Sequence, residues 1–359
     1  MPTGGRGPHR SVGGARPVRV LRPGRAPGRP GRGGRGAGPP KVVALGGGRG
    51  LSASLTALRR ITGDDLTAVV TVADDGGSSG RLRDELGVLP PGDLRKALAA
   101  LCGDDEWGRT WARLVQHRFT SHGDLHDHAV GNLLIVALWE QLGDHVAALD
   151  LVGRLLRARG RVLPMAGVPL ELCAEVRGHD PARPEDTTLV CGQATVALTP
   201  GEVQRVRLVP PDPPAVPEAV AAIREADWVI LGPGSWFTSV IPHLLVPELL
   251  SALTETRARR VLCLNLAPQP GETDGFSPQR HVEVLVQHAP KLTFDVVLAD
   301  TAATRDHQAG LEEAAERIGA VVQRAPVAAR DTTPRHDPEL LAAAYDRIFR
   351  MHGRIGPWR

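Results

Sequence analysis

Asp74 and Asp75 stand side by side in the stretch VTVADDGGSSGRLRDELG, followed at once by Gly76, Gly77, Ser78, Ser79 and Arg81. Two carboxylates beside bare backbone can hold a divalent cation such as Mg2+ through hard oxygen ligands, or accept hydrogen bonds from sugar hydroxyls. The same residue types form Asx-turns at tight bends, so this segment alone leaves a site and a turn both open. Arg81 and Arg83 add guanidinium groups that can clamp phosphate or stay solvated at a helix start.

Three more clusters carry possible chemistry. GGGRGLS contributes Gly46, Gly47, Gly48, Arg49, Gly50 and Ser52. It matches neither the GxGxxG dinucleotide fingerprint with its distant acid nor a Walker A loop, which ends in GK[ST]. Bare N–H groups at a helix start nonetheless favour an anion, and close helix–strand packing is the alternative use of such glycines. LGPGSWFTS repeats the device with Gly232, Gly234, Ser235 and Thr238, where Ser235 or Thr238 can instead cap a helix. GDLHDHAVGN brings Asp124, His126, Asp127, His128 and Asn132 into one short stretch. Its HxH spacing allows metal ligation, acid–base work or hydrogen bonds to a ligand, and the competing reading is Asp127 as a helix cap with locally bonded histidines. GETDGF adds Glu272, Thr273 and Asp274. No GxSxG elbow, HExxH motif or paired nucleophile and base is visible, which argues against a hydrolase.

These clusters need elements to hold them. Val42–Leu45 reads as a buried strand, and Leu51, Leu55 and Leu58 recur at helical spacing after the glycine turn. Leu66–Ala73 reads as the next strand, ending directly on Asp74. Asp93 is the expected N-cap of a helix over Leu94–Leu101. WARLVQHRF and NLLIVALWEQLG read as helices. Residues 161–208 alternate and are rich in Val, Thr and Leu, a β-rich insertion with GHDPARPEDT as its hairpin loop. A helix over Pro217–Glu225, a strand over Trp228–Leu231 and further strands in RVLCLNL, FDVVLAD and GAVVQRAP restore the α/β rhythm before a terminal helix, Asp337–Arg350. The expected fold class is α/β, a Rossmann-like, doubly wound, mostly parallel sheet with a small β-rich insertion. Ligands then belong at the carboxyl ends of the strands, where the glycine turns lie.

The 359 residues are 42% hydrophobic, enough for a packed core. The net charge of +3 conceals an asymmetry. Residues 1–41 carry nine arginines, Lys41 and no acid, which leaves 33 basic against 40 acidic side chains in the rest. The basic balance is thus a property of the tail and no argument for specific nucleic-acid binding. Residues 1–40 hold too little apolar surface to offset ordering entropy and are expected to be disordered, residues 41–335 to form the α/β domain, and residues 336–359 a helix and tail. The tail lacks the apolar core of a secretory signal, and no run is long enough to cross a membrane. Cys102, Cys173, Cys191 and Cys263 have no CxxC spacing, so neither a zinc site nor a disulfide framework is expected, only buried thiols of a cytoplasmic protein.

GGGRGLS, TVADDGGSSGRLR, PPGDLR, HAVGNLL, RGRVLP, LGPGSWFTSVIPHLLVP and GETDGF occur in one order, and together they resemble the YvcK-like gluconeogenesis factors of the CofD-like superfamily. The resemblance implies a Rossmann-like fold, binding of a UDP-sugar, notably UDP-N-acetylglucosamine, and control of cell-wall precursor flux and cell shape. It implies a cytoplasmic regulator, a homodimer with an unidentified protein partner, and no established reaction. The CofD branch implies the alternative: a Mg2+-dependent transferase that moves a phospholactyl-type group from a nucleotide-activated donor. Four positions depart from the pattern: Arg49 replaces a threonine, Asp127 a small residue, Pro268 a threonine and Arg280 an aspartate. Three of them fall at the expected cleft and bear on ligand preference.

Overall fold

The structure, a computed structural model, describes residues 39–331 and 333–353. The expected tail thus lies almost wholly outside the described residues. Strands β1 (Val42–Gly46), β2 (Leu66–Val70) and β3 (Arg161–Pro164) come first, then β4 (Glu171–Arg177), β5 (Thr187–Cys191) and β6 (Glu202–Val209). Strands β7 (Trp228–Leu231), β8 (Arg259–Cys263), β9 (Val296–Asp300) and β10 (Val321–Ala325) follow. Seven of them form one parallel sheet in the order β10-β9-β8-β7-β1-β2-β3, and the other three an antiparallel sheet in the order β5-β4-β6. This is the expected Rossmann-like α/β architecture with its small β-rich addition.

The central strands are short apolar runs because helices cover both faces of a parallel sheet. Every residue of β1, β7 and β9 is buried. Helix α1 (Gly48–Thr62) lays Leu51, Leu55 and Leu58 on the sheet, all fully buried, each contributing about 1.5–3 kcal/mol. Arg59 and Arg60 in its last turn suit the negative end of the helix dipole. Helices α2 (Gly77–Leu86), α3 (Gly92–Leu101), α4 (Glu106–Gln116), α5 (Val130–Leu142) and α6 (His145–Leu156) fill the long connection from β2 to β3. The short α7 (Gln193–Val196) follows β5, α8 (Pro217–Glu225) precedes β7, and α9 (Pro247–Glu255) precedes β8. Helices α10 (Pro278–His288), α11 (Gln308–Arg317) and α12 (Pro338–Gly353) complete the chain.

Several expectations shift. β2 ends at Val70, so Thr71–Ala73 run on as irregular backbone before Asp74. β3, expected inside the insertion, pairs with β2 in the main sheet. Helix α3 begins at Gly92 with Pro91 at its cap, and Asp93 lies inside its first turn. Asp127 does not cap α5: it takes a positive φ of 61° and the cap is Ala129. Cys173 and Cys191 are joined in a disulfide, against the expectation of free thiols, because β4 and β5 place them directly opposite each other. Cys102 and Cys263 are free and buried as expected. Among the described residues no single helix is long and apolar enough to cross a membrane.

The strand order sets the site. From β1 the chain moves outward to β2 and β3, then returns to β7 on the other side of β1 and continues to β10. The carboxyl ends of β1 and β7 flank this reversal, where the crevice of a doubly wound sheet opens.

Candidate functional site

The two glycine turns meet at that crevice. A side chain at Gly50 would overlap the Pro233 carbonyl, so glycine there permits the turns to touch. Gly48 opens α1 with a φ of 58°. Its N–H is not bare: it donates to Asp93 Oδ2 at 2.8 Å, while Lys96 Nζ donates to Asp93 Oδ1 at 2.7 Å. Asp93 therefore ties α3 to the start of α1, where the helix dipole favours its charge. Ser52 donates to the Gly48 carbonyl at 2.9 Å, and Arg49 stands exposed on the first turn.

The adjacent aspartates diverge. Asp74 accepts from the Gly76 N–H at 3.0 Å, and burial, then the neighbouring Asp93 carboxylate, raise its pKa above the usual carboxylate range. Asp75 turns the other way and accepts from the Ala194 N–H at 2.9 Å, at the short helix α7. The acids that act on one another are thus Asp74 and Asp93, not Asp74 and Asp75. Ser79 is buried against Asp74.

Ser78, His128 and Asn132 come together. Asn132 Nδ2 donates to Ser78 Oγ at 2.9 Å, and Ser78 Oγ lies 3.1 Å from His128 Nδ1. Ser78 Oγ also accepts from Ala129 N at 3.4 Å, so both its lone pairs are used, its own proton goes to Nδ1 and the ring proton lies on Nε2. Burial, then Arg81, depress the His128 pKa, which favours this neutral ring. His126, in contrast, is exposed, so the HxH pair does not converge on one metal. Arg81 is committed to the Asp124 and His126 carbonyls at 3.1 and 2.6 Å, and Arg83 to the Leu170 carbonyl at 2.8 Å. Neither guanidinium is a free phosphate clamp.

The third turn is held from below. Asn265, which sequence reasoning missed, clamps Gly234 on both sides: its Oδ1 accepts from Gly234 N at 3.0 Å and its Nδ2 donates to Gly234 O at 2.7 Å. After Ser235 the chain forms a π-helical turn, Trp236–Val240. Glu272 accepts from the Phe237 and Thr238 N–H groups at 2.7 and 2.9 Å and from the Ser235 hydroxyl, which also bonds Thr238 Oγ1. Glu272 thus fills the donor set expected to be offered to phosphate, and burial raises its pKa. Thr273 is fully buried and accepts from Gln269 N at 2.8 Å, closing the loop that carries Glu272.

What these contacts leave unsatisfied marks the site. Arg95 is buried, with Nε and Nη1 lacking any acceptor, and Asn132 Oδ1 and Thr71 Oγ1 are buried without partners. Arg95 lies within electrostatic reach of Asp93 and Asp74, and its Cγ packs beside Gly131, next to Asn132. A buried guanidinium without acceptors is costly unless a ligand supplies oxygen atoms. Arg95, Asp93, Lys96 and Thr71 were absent from the sequence-based set; Thr71, Asp93 and Arg95 stood only within the motifs TVADDGGSSGRLR and PPGDLR, where Asp93 read as a helix cap. For a divalent cation, Asp74 and Asp93 supply hard oxygens, and the Asp74 pKa is raised first by burial and then by Asp93. Both Asp93 oxygens already accept, from Gly48 N and Lys96 Nζ, so an ion at this pair would compete with Lys96. A separate cavity of about 390 Å³, lined by Lys41, Asp65, Arg161 and Glu218, opens at the amino end of the strands.

Comparison with known proteins agrees with this architecture. Residues 42–332 match the family described as 2-phospho-L-lactate transferase CofD. A protein of Mycobacterium leprae named "Putative gluconeogenesis factor" is 55% identical over 312 residues, covering 86% of each chain. The gluconeogenesis factor of Bacillus subtilis is 40% identical over 262 residues, 73% of this chain and 79% of that protein. A crystal structure of a UPF0052 family member from Bacillus halodurans superposes with a TM-score of 0.74 at 34% identity, covering 84% of this chain and 97% of that one.

Proposed function

The chain belongs to the CofD-like family that includes the gluconeogenesis factors, and from that premise we propose that it is a UDP-sugar sensor whose ligand is UDP-N-acetylglucosamine. The supporting observation is the set of orphaned buried groups, Arg95, Asn132 Oδ1 and Thr71 Oγ1, gathered beside the turns that follow β1 and β2. Arg95 supplies the donors for a phosphoryl oxygen, and Asn132 Oδ1 accepts from a sugar hydroxyl. The glycines of the Gly46–Ser52 and Gly232–Ser235 turns carry no side chains and let a ligand approach closely. As a regulator it would work in the cytoplasm as a homodimer, passing the bound state to a protein that governs cell-wall precursor flux and cell shape.

Titration calorimetry with UDP-N-acetylglucosamine, UMP and GTP tests this reading. Binding of the UDP-sugar in preference to both nucleotides supports it, and no heat with any uridine nucleotide at millimolar concentration removes it. The acid pair favours a second reading, a transferase acting on a nucleotide-activated donor. Asp74 and Asp93 would hold Mg2+, which supplies Lewis-acid polarisation of a phosphoryl oxygen. Turnover that needs Mg2+ and is lost in Asp74→Asn would replace sensing with catalysis.

A further inference from the structure

The small antiparallel sheet reaches the site through one short segment. Cys191 ends β5 and is bonded to Cys173 in β4. The next residue, Gly192, donates to the Leu172 carbonyl at 2.8 Å. A side chain at Gly192 would come within 2.6 Å of Asp75 Oδ2, and two residues further on Ala194 N donates to Asp75 Oδ1 at 2.9 Å. The segment then passes Gly271, where a side chain would lie 2.6 Å from the Ala197 carbonyl. Residues 192–198 therefore touch both the Asp75 turn and the loop that carries Glu272.

Within this segment Val196 is fully buried, but the strand that leads into it is held less deeply. β5 is an edge strand paired only with β4, and Val190 is its one buried residue. An exposed edge strand of this kind gains stability from a covalent tie. We propose that the Cys173–Cys191 disulfide is a redox-responsive latch that sets how tightly the Asp74–Ser79 turn holds its ligand. The proposal rests on the reading of that turn as ligand-binding. Closed, the bond pins β5 to β4, keeps Ala194 N on Asp75 and holds the turn in place. Open, β5 and α7 loosen and the turn loses that anchor. Cys191 is reachable from solvent whereas Cys173 is buried, so attack falls on Cys191. A thiolate of a dithiol reductant attacks Cys191 Sγ, the S–S bond breaks, and Cys173 leaves as a thiolate that takes up a proton. The second thiol of the reductant then attacks the mixed disulfide, freeing Cys191 and leaving the reductant oxidised. Cys102 and Cys263 do not compete, because burial pushes their pKa values up to about 11 and about 12. A disulfide in the reducing compartment proposed for this protein belongs to the redox-responsive class.

The test compares oxidised protein, protein reduced by dithiothreitol, and Cys191→Ser. Hydrogen exchange is followed in peptides spanning 74–80 and 192–198, and UDP-N-acetylglucosamine affinity by calorimetry. Reduction is expected to speed exchange in both peptides and weaken binding about tenfold, a coupling of ordinary size. Cys191→Ser is expected to match the reduced protein and to ignore redox state. Unchanged exchange, or a Cys191→Ser protein that still responds to dithiothreitol in these peptides, overturns the latch. If the nucleotide binds both forms equally, the latch falls and the ligand reading stands. If exchange responds while no uridine nucleotide binds either form, the uridine ligand falls and only the latch's hold on the turn stands.

Discussion

Arg95 separates a functional from a structural account at the scale of one side chain. Its Nε and Nη1 are buried without acceptors, which costs the ligand-free protein about 1–3 kcal/mol. Methionine fills similar length without the unmet donors. Arg95→Met is therefore expected to keep or raise stability in urea denaturation while UDP-N-acetylglucosamine affinity falls at least about tenfold, the loss of one charge-assisted hydrogen bond. A purely structural arginine gives the reverse pattern, with stability lost and affinity kept. The same scale shows why the paired aspartates misled. Adjacent residues in irregular backbone point to different neighbours, so Asp74 joins Asp93 and Asp75 joins Ala194. Adjacency in sequence suggested a shared ligand; partners 19 and 119 residues along the chain could not be read without the fold.

Among the elements, the sheet was the most legible part. Val42–Gly46, Trp228–Leu231 and Val296–Asp300 are apolar runs because they are buried on both faces, and that burial leaves a clear pattern. The first turn of helix α2 was hidden because its residues, Gly77–Gly80, are glycine and serine, poor helix formers held here by tertiary contacts. The π-helical turn was hidden because Glu272, distant in sequence, satisfies its N–H groups. Next to it, the 3-10 turn Ile241–Leu245 is fixed by His243, whose Nε2 donates to the Val69 carbonyl of β2 at 3.1 Å. Burial pushes the His243 pKa down from 6.5 to about 4. The unfolded chain therefore binds a proton that the folded chain refuses. The neutral ring's contribution is complete above pH 6.5 and is lost as pH falls toward 4. The shift corresponds to about 3 kcal/mol. His336, with a pKa also near 4, adds a slope of the same sign, so the comparison must be differential. Urea midpoints of wild type and His243→Gln, measured from pH 7 to pH 4, are expected to converge as the pH drops. Parallel curves would mean that His243 titrates in the folded protein as it does in the unfolded chain.

On the scale of the whole molecule, the excess of positive charge lies in a different part of the sequence from the described strands and helices. All ten strands and the candidate site lie in residues 39–353, while residues 1–38 hold nine arginines and no acid. Without those residues the chain carries 34 basic against 40 acidic side chains and its net charge changes sign. Attraction of the full chain to polyanions is then a property of the tail, dominated by counterion release and weakened by salt. The proposed recognition of a uridine nucleotide, in contrast, would rest on Arg95 and the turns after β1 and β2. Deleting residues 1–38 is expected to abolish low-salt retention on heparin and to leave both the melting temperature and the UDP-N-acetylglucosamine affinity unchanged. A truncated protein that loses nucleotide affinity would place part of the site in the tail. One that keeps its heparin retention would place a basic surface on the folded domain, where the charge balance argues against it.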